Sequence, residues 1–119
     1  MKLRIKGNSI RLRLLQSEVA TLAEGGTVNE TTSLPGASFS YQLAASEVSK
    51  VELKHNTLFI FAQDDQLKSW ATSEDVGIYS TLPTENGDLR ITIEKDFTCL
   101  TSRPNEDETD NYPNPKASH

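Results

Sequence analysis

One cysteine, Cys99, and two histidines, His55 and His119, are all that 119 residues offer of the softer metal-binding side chains. A lone cysteine excludes an internal disulfide and fits a reducing compartment, so the cytoplasm is the expected location. Zinc-type Cys/His spacing, a glycine-rich phosphate loop and a Ser-His-Asp signature cannot be assembled, and no cofactor or metal is expected. His55 sits beside Asn56 in a turn setting and His119 is the last residue, so neither supports a metal site. Cys99, between Phe97 and Leu100, reads as a buried thiol rather than a nucleophile. Long apolar runs are missing too. The opening MKLRIKGNSIRLRLL is broken by charge at almost every second position, which predicts neither a secretory signal nor a membrane span. No internal repeat of useful period stands out.

What is present is polar but foldable. At 119 residues the chain is long enough for one core and too short for two, and with 35% hydrophobic and 24% charged residues it lies above the level of wholesale disorder. The formal net charge of -5 argues against general nucleic-acid affinity, although a local basic patch is compatible with it. Leu3 and Ile5 alternate with Lys2, Arg4 and Lys6; beyond Gly7-Asn8, Ile10, Leu12 and Leu14 alternate with Arg11 and Arg13. That is period-two patterning on both sides of a hairpin turn. A short helix is expected from Ser17 to Glu24, ended by Gly25-Gly26. Val28 to Leu34 and the segment carrying Phe39, Tyr41 and Leu43 make a second hairpin around Pro35-Gly36. A third sets Leu53 against Leu58 and Val51 against Ile60 around His55-Asn56, and a fourth surrounds Asn86-Gly87, with Leu89, Ile91 and Ile93 inward and Arg90, Thr92 and Glu94 outward. Between them, Leu67 and Trp70 fit a short helix or a loop pinned by the indole.

The expected fold is therefore α+β: a single domain over 1–101, with an antiparallel curved sheet or partly closed barrel of about six to eight strands and one or two short helices. Residues 102–119 form an acidic, proline-bearing tail that either docks on the sheet or is solvated. Its run from Asn105 to Asn111 lacks the central glycine and distal glutamate of a calcium loop.

The first hairpin carries the one physical oddity. A two-residue turn at Gly7-Asn8 places Arg4 opposite Arg11 and Lys2 opposite Arg13, and like charges directly opposite cost up to about 1 kcal/mol per pair. Three compensators are open. Water and salt can screen the splayed side chains. Carboxylates from Glu30, Glu94, Asp96 or the tail segment Glu106, Asp107, Glu108 and Asp110 can pair with them, and a basic face satisfied internally by the acidic tail is structural only. An anionic ligand or acidic protein segment can sit on them, for which the arginine fork is suited. The apolar phase shifts around Glu94-Lys95-Asp96, as at a bulge that re-aims side chains near a site. The candidate ligand-binding residues are thus Arg4, Lys6, Arg11, Arg13, Glu94 and Lys95, serving a non-enzymatic binding or regulatory domain; no catalytic residue, nucleic acid or membrane is expected, and oligomeric state is open.

The opening KLRIKGNSIRLRL, the segments QSEV at 16–19 and EKDF at 94–97, and EDE at 106–108 with the tail motif YPNP resemble a family of small uncharacterised bacterial proteins. The resemblance spans nearly the whole chain and implies a bacterial cytoplasmic protein, with no activity attached. Strands with alternating charge are also similar to triphosphate tunnel (CYTH-type) enzymes, whose barrels hold polyphosphate on Arg and Lys. That analogy implies a phosphohydrolase as the alternative function, yet Lys2-x-Arg4-x-Lys6 stands where that family opens with Glu-x-Glu-x-Lys.

Overall fold

In a computed structural model, the structure describes residues 1–97. Eight strands and two helices follow one another as β1 (Lys2–Lys6), β2 (Ser9–Leu14), α1 (Gln16–Ala23), β3 (Val28–Leu34), β4 (Ala37–Ser46), β5 (Lys50–Lys54), β6 (Thr57–Gln63), α2 (Asp64–Ala71), β7 (Gly77–Thr84) and β8 (Gly87–Lys95). Each of the four hairpins, β1-β2, β3-β4, β5-β6 and β7-β8, is closed by a short turn. At His55-Asn56 both residues take left-handed backbone, φ 49 and 63, the conformation that a two-residue hairpin with right-handed strand twist requires. His55 is thus a turn residue, as its setting implied. The last turn lies one residue earlier than expected, on Glu85-Asn86, with Thr84 opposite Gly87.

The strands form two four-stranded sheets, ordered β1-β2-β8-β7 and β3-β4-β6-β5. Here the expected all-antiparallel sheet is corrected. Every hairpin is antiparallel, but the hairpins join through parallel central pairs, β2 with β8 and β4 with β6. Neither sheet closes into a barrel. Alternating strands are the usual mark of antiparallel sheets, because parallel ones are normally covered on both faces. In this fold each parallel pair is covered on one face only, so its strands alternate all the same.

The topology contains an internal duplication that residue identities hide. The unit β1-β2-α1-β3-β4 repeats as β5-β6-α2-β7-β8, and each sheet takes the first hairpin of one unit and the second hairpin of the other. The interval from Gly7 to His55 also separates the start of α1 at Gln16 from that of α2 at Asp64. Buried positions correspond: Ile10, Leu12 and Leu14 match Leu58, Ile60 and Ala62, and Val19 and Leu22 match Leu67 and Trp70. Only polarity is preserved, so no sequence repeat is visible.

One hydrophobic cluster joins both sheets and both helices. Leu12, Leu14, Leu43, Ile60 and Ile93 face it from the strands, while Leu22, Leu67 and Trp70 enter from the helices. The Trp70 indole donates to the Val76 carbonyl at 2.9 Å, satisfying its one polar atom inside the core. Asp64 and Asp65 begin α2, where Gln63 Oε1 accepts from the Gln66 amide at 2.9 Å; the region expected as helix or pinned loop is a helix. In α1, Glu18 accepts from the Leu15 amide at 2.8 Å and so holds the first turn. Its other oxygen receives the Met1 ammonium at 2.5 Å, which also meets Glu30 at 2.9 Å. Tyr41 donates to the Met1 carbonyl at 3.1 Å. The start of β1 is thereby tied to α1 and to the second sheet. Burial pulls the pKa of the Met1 ammonium down, but the hydrogen bonds and charges of Glu18 and Glu30 outweigh it and leave it above 8.0.

The β8 strand runs regularly through Lys95, so the bulge expected at Glu94-Lys95-Asp96 is absent. Phe97 follows the strand with its side chain largely in solvent. Cys99, Leu100 and the tail assigned to 102–119 lie outside the described residues, as does the 1–101 domain boundary.

Candidate functional site

The register of the first sheet settles which side chains share its outer face. Lys2 stands opposite Arg13, Arg4 opposite Arg11, Ile5 opposite Ile10 and Lys6 opposite Ser9, the pairing a Gly7-Asn8 turn dictates. Because Ile10, Leu12 and Leu14 are buried, Arg11 and Arg13 point away from the core. Across the parallel joint, Arg11 meets Thr92, Arg13 meets Glu94 and Ser9 meets Arg90; one strand further, Tyr79, Gly77 and Thr81 complete the rows.

Three rows result: Lys2–Arg13–Glu94–Gly77, Arg4–Arg11–Thr92–Tyr79 and Lys6–Ser9–Arg90–Thr81. With strands about 4.8 Å apart and same-face residues about 6.7 Å apart along a strand, the cations fall on a grid little wider than one small ligand. Glu94 is the single carboxylate within the rows; Asp96 lies beyond one end and Asp88 beyond the other.

The ion pairs on this face are long. Glu94 Oε1 is 3.7 Å from the Nε atoms of both Arg11 and Arg13, and Lys2 Nζ is 3.5 Å from Asp96. One carboxylate shared by two guanidinium groups neutralises neither. Arg4, Lys6 and Arg90 have no ion pair among the described residues. A shallow depression of about 200 Å³ opens over Lys2, Leu3, Arg4, Arg11 and Arg13. The arrangement can donate several hydrogen bonds to the oxygens of one anion and offset its charge, since arginine presents a planar set of donors rather than a point charge.

Arg4, Lys6, Arg11, Arg13 and Glu94 are therefore brought onto one face. Lys95 is not with them: its register with Leu14 puts it on the opposite phase, where Nζ donates to the Ser73 carbonyl at 2.7 Å and lies 5.7 Å from the centre of the Trp70 ring. It braces the segment after α2. Arg90 and Tyr79 belong to the face but were not singled out by sequence. The outward phase of Arg90 was legible; the adjacency of β8 to β2, which makes it matter, was not.

Duplication supplies an internal comparison. At the positions of Arg11 and Arg13 the second sheet carries Phe59 and Phe61, whose rings are 6.4 Å apart and 11° from parallel. Glu52 stands in place of Arg4, and Ser40, Gln42 and Ala44 in place of Arg90, Thr92 and Glu94. The same scaffold thus displays an arginine-rich face on one side and, on the other, an aromatic face whose Lys50 and Lys54 are paired with Glu52, so the arginine cluster is a property of this surface and not of the architecture.

Residues 1–116 match the family described as Family of unknown function (DUF7009). The chain belongs to that family. The DUF7009 match confirms the uncharacterised family implied by the opening and tail segments, and it extends beyond Phe97 through the YPNP motif. No curated protein and no solved structure matches the chain. In this DUF7009 chain the triphosphate-tunnel analogy finds no support: its cations stand on the outside of an open sheet. Among the described residues no group of three or more His, Cys, Asp and Glu is placed to hold a metal ion, and no helix is long and apolar enough to cross a membrane.

Proposed function

We propose that the protein is a bacterial cytoplasmic binding or regulatory domain, without catalysis of its own, that receives an anionic group on the outer face of β1-β2-β8-β7. The observation that carries this reading is the cross-strand pairing of Arg4 with Arg11 and Lys2 with Arg13 on one exposed face, where among the described residues Glu94 and, beside Lys2, Asp96 are the carboxylates that offset them. Opposed like charges of this kind oppose folding by up to about 1 kcal/mol per pair, and a bound anion turns that cost into affinity. The phosphate or carboxylate oxygens of a multiply charged anion would each find an arginine donor.

A thermal-shift panel of inorganic triphosphate, citrate and sulfate, with and without magnesium, tests it. Triphosphate should raise the melting temperature without magnesium, the gain should shrink at high salt, and Arg4→Gln with Arg11→Gln should abolish it. Unchanged melting with every anion would remove the proposal, and stabilisation that requires magnesium would favour a phosphohydrolase instead.

A further inference from the structure

Tyr79 occupies the same row as Arg4 and Arg11, yet it is an aromatic ring with 64% of its surface in solvent, on the edge strand. Its hydroxyl end lies over Gly77, beside Glu94. A β-carbon built on Gly77 would lie 3.1 Å from the Tyr79 hydroxyl, 3.1 Å from Glu94 Cγ and 2.9 Å from the Ile93 carbonyl oxygen. The ring therefore leans along β7 over a residue that has no side chain, and the absence of one is what makes room for it. Between Tyr79 and Arg11 stands only Thr92, so a low lane crosses β8 from the guanidinium groups to the ring. Two strand spacings, about 10 Å, separate the Arg11 and Tyr79 backbones, comparable to the reach from phosphate to base in a nucleotide.

The far side of Tyr79 has the opposite chemistry. There Tyr79 borders an open groove between α2 and β7, where Asp65, Gln66, Ser69 and Asp75 stand beside Trp70 and Ile78. Carboxylates and amide groups accept hydrogen bonds from hydroxyl and amino groups and repel a second phosphate. The surface is thus polarised in one direction: cations, then a short lane, then an exposed ring, then acceptors. Asp88 and Asp96 bound the cationic patch at its two ends, which suits a short anion and disfavours a long polyanionic strand.

We propose that the ligand of the basic face is a free nucleoside phosphate, laid across the strands with its phosphates at Arg4, Arg11 and Arg13 and its base stacked on Tyr79. This deepens the anion-binding reading above and rests on it. Arginine suits the phosphates by its donor fork, and an aromatic face suits any base, because stacking does not depend on base identity.

The experiment compares ATP with inorganic triphosphate by titration calorimetry, in wild-type, Tyr79→Ala, Tyr79→Phe and Arg4→Gln/Arg11→Gln proteins, with melting curves as the folding control. ATP should bind about tenfold tighter than triphosphate to the wild type. Tyr79→Ala should erase that ratio while leaving triphosphate affinity unchanged, and Tyr79→Phe should keep it. The double arginine variant should weaken both ligands together. Equal affinities for ATP and triphosphate in the wild type, or a ratio that survives Tyr79→Ala, would overturn the nucleotide assignment and leave the anion site standing. Binding of neither ligand would overturn both.

Discussion

Replacing Glu94 by glutamine should move stability and affinity in opposite directions. Glu94 is half-way between two guanidinium groups, 3.7 Å from each Nε, with its side chain 17% exposed. Pairs at such range and exposure contribute about 0.2–1 kcal/mol each, so losing both should cost about 1 kcal/mol. In a domain of this size that is a fall of roughly 4–8 °C in melting temperature. For a bound anion the same change is favourable. A carboxylate about 5 Å from an anionic oxygen repels it by about 0.8 kcal/mol in a water-like dielectric, so its removal should tighten triphosphate binding about fourfold. Calorimetry and thermal melts on the same samples at low salt give both quantities, and in 1 M salt the affinity gain should largely vanish. A variant that melts lower and also binds triphosphate no better would refute the reasoning, because Glu94 would then not compete with the ligand for Arg11 and Arg13.

Arg4→Gln should stabilise the unliganded protein at low salt by up to about 1 kcal/mol, read from urea melts, since it relieves the opposed pair with Arg11. Leu43→Ala, at a fully buried position between Val28 and Ile60, should cost about 2–5 kcal/mol in the same assay. Gly77→Ala should destabilise by about 1–3 kcal/mol, because the added carbon meets the Ile93 carbonyl at 2.9 Å and displaces Tyr79. The Met1 ammonium has a pKa raised above 8.0, so its contribution is complete below pH 8 and lost as pH rises through the folded-state value; Tyr41, raised above 10.0 by burial and by Glu30 and Glu18, adds a loss of the same sign at higher pH. Urea melts from pH 7 to about 10 should show the Met1 part of this decline, and Glu18→Gln should flatten it.

Local pairing was legible in the chain because a two-residue turn and a period-two pattern leave a single register that sets the apolar side chains of both strands on one face. The first hairpin and the Leu53–Leu58 hairpin follow that rule to the residue. The joints between hairpins were not legible. Ile10 and Ile91 lie far apart in sequence, and alternation alone cannot say whether two such strands run parallel. The duplication escaped for a related reason: burial constrains only inward positions, and outward ones were free to diverge to Arg11 and Arg13 in one unit and Phe59 and Phe61 in the other. Lys95 was drawn to the face by an apolar phase shift that marks the end of β8 instead of a bulge; in an unbroken strand its phase is that of Leu14. Arg90 and Tyr79 became neighbours of the basic hairpin only once β8 was seen to pair with β2.

Amide resonances of the isotope-labelled protein, followed during titration with inorganic triphosphate at low salt, probe the central claim most directly. Perturbations should concentrate on Arg4, Arg11, Arg13 and Thr92 and fade toward the second sheet. Shifts centred on Phe59 and Phe61, or none at saturating triphosphate, would contradict an anion site on the outer face of the first sheet.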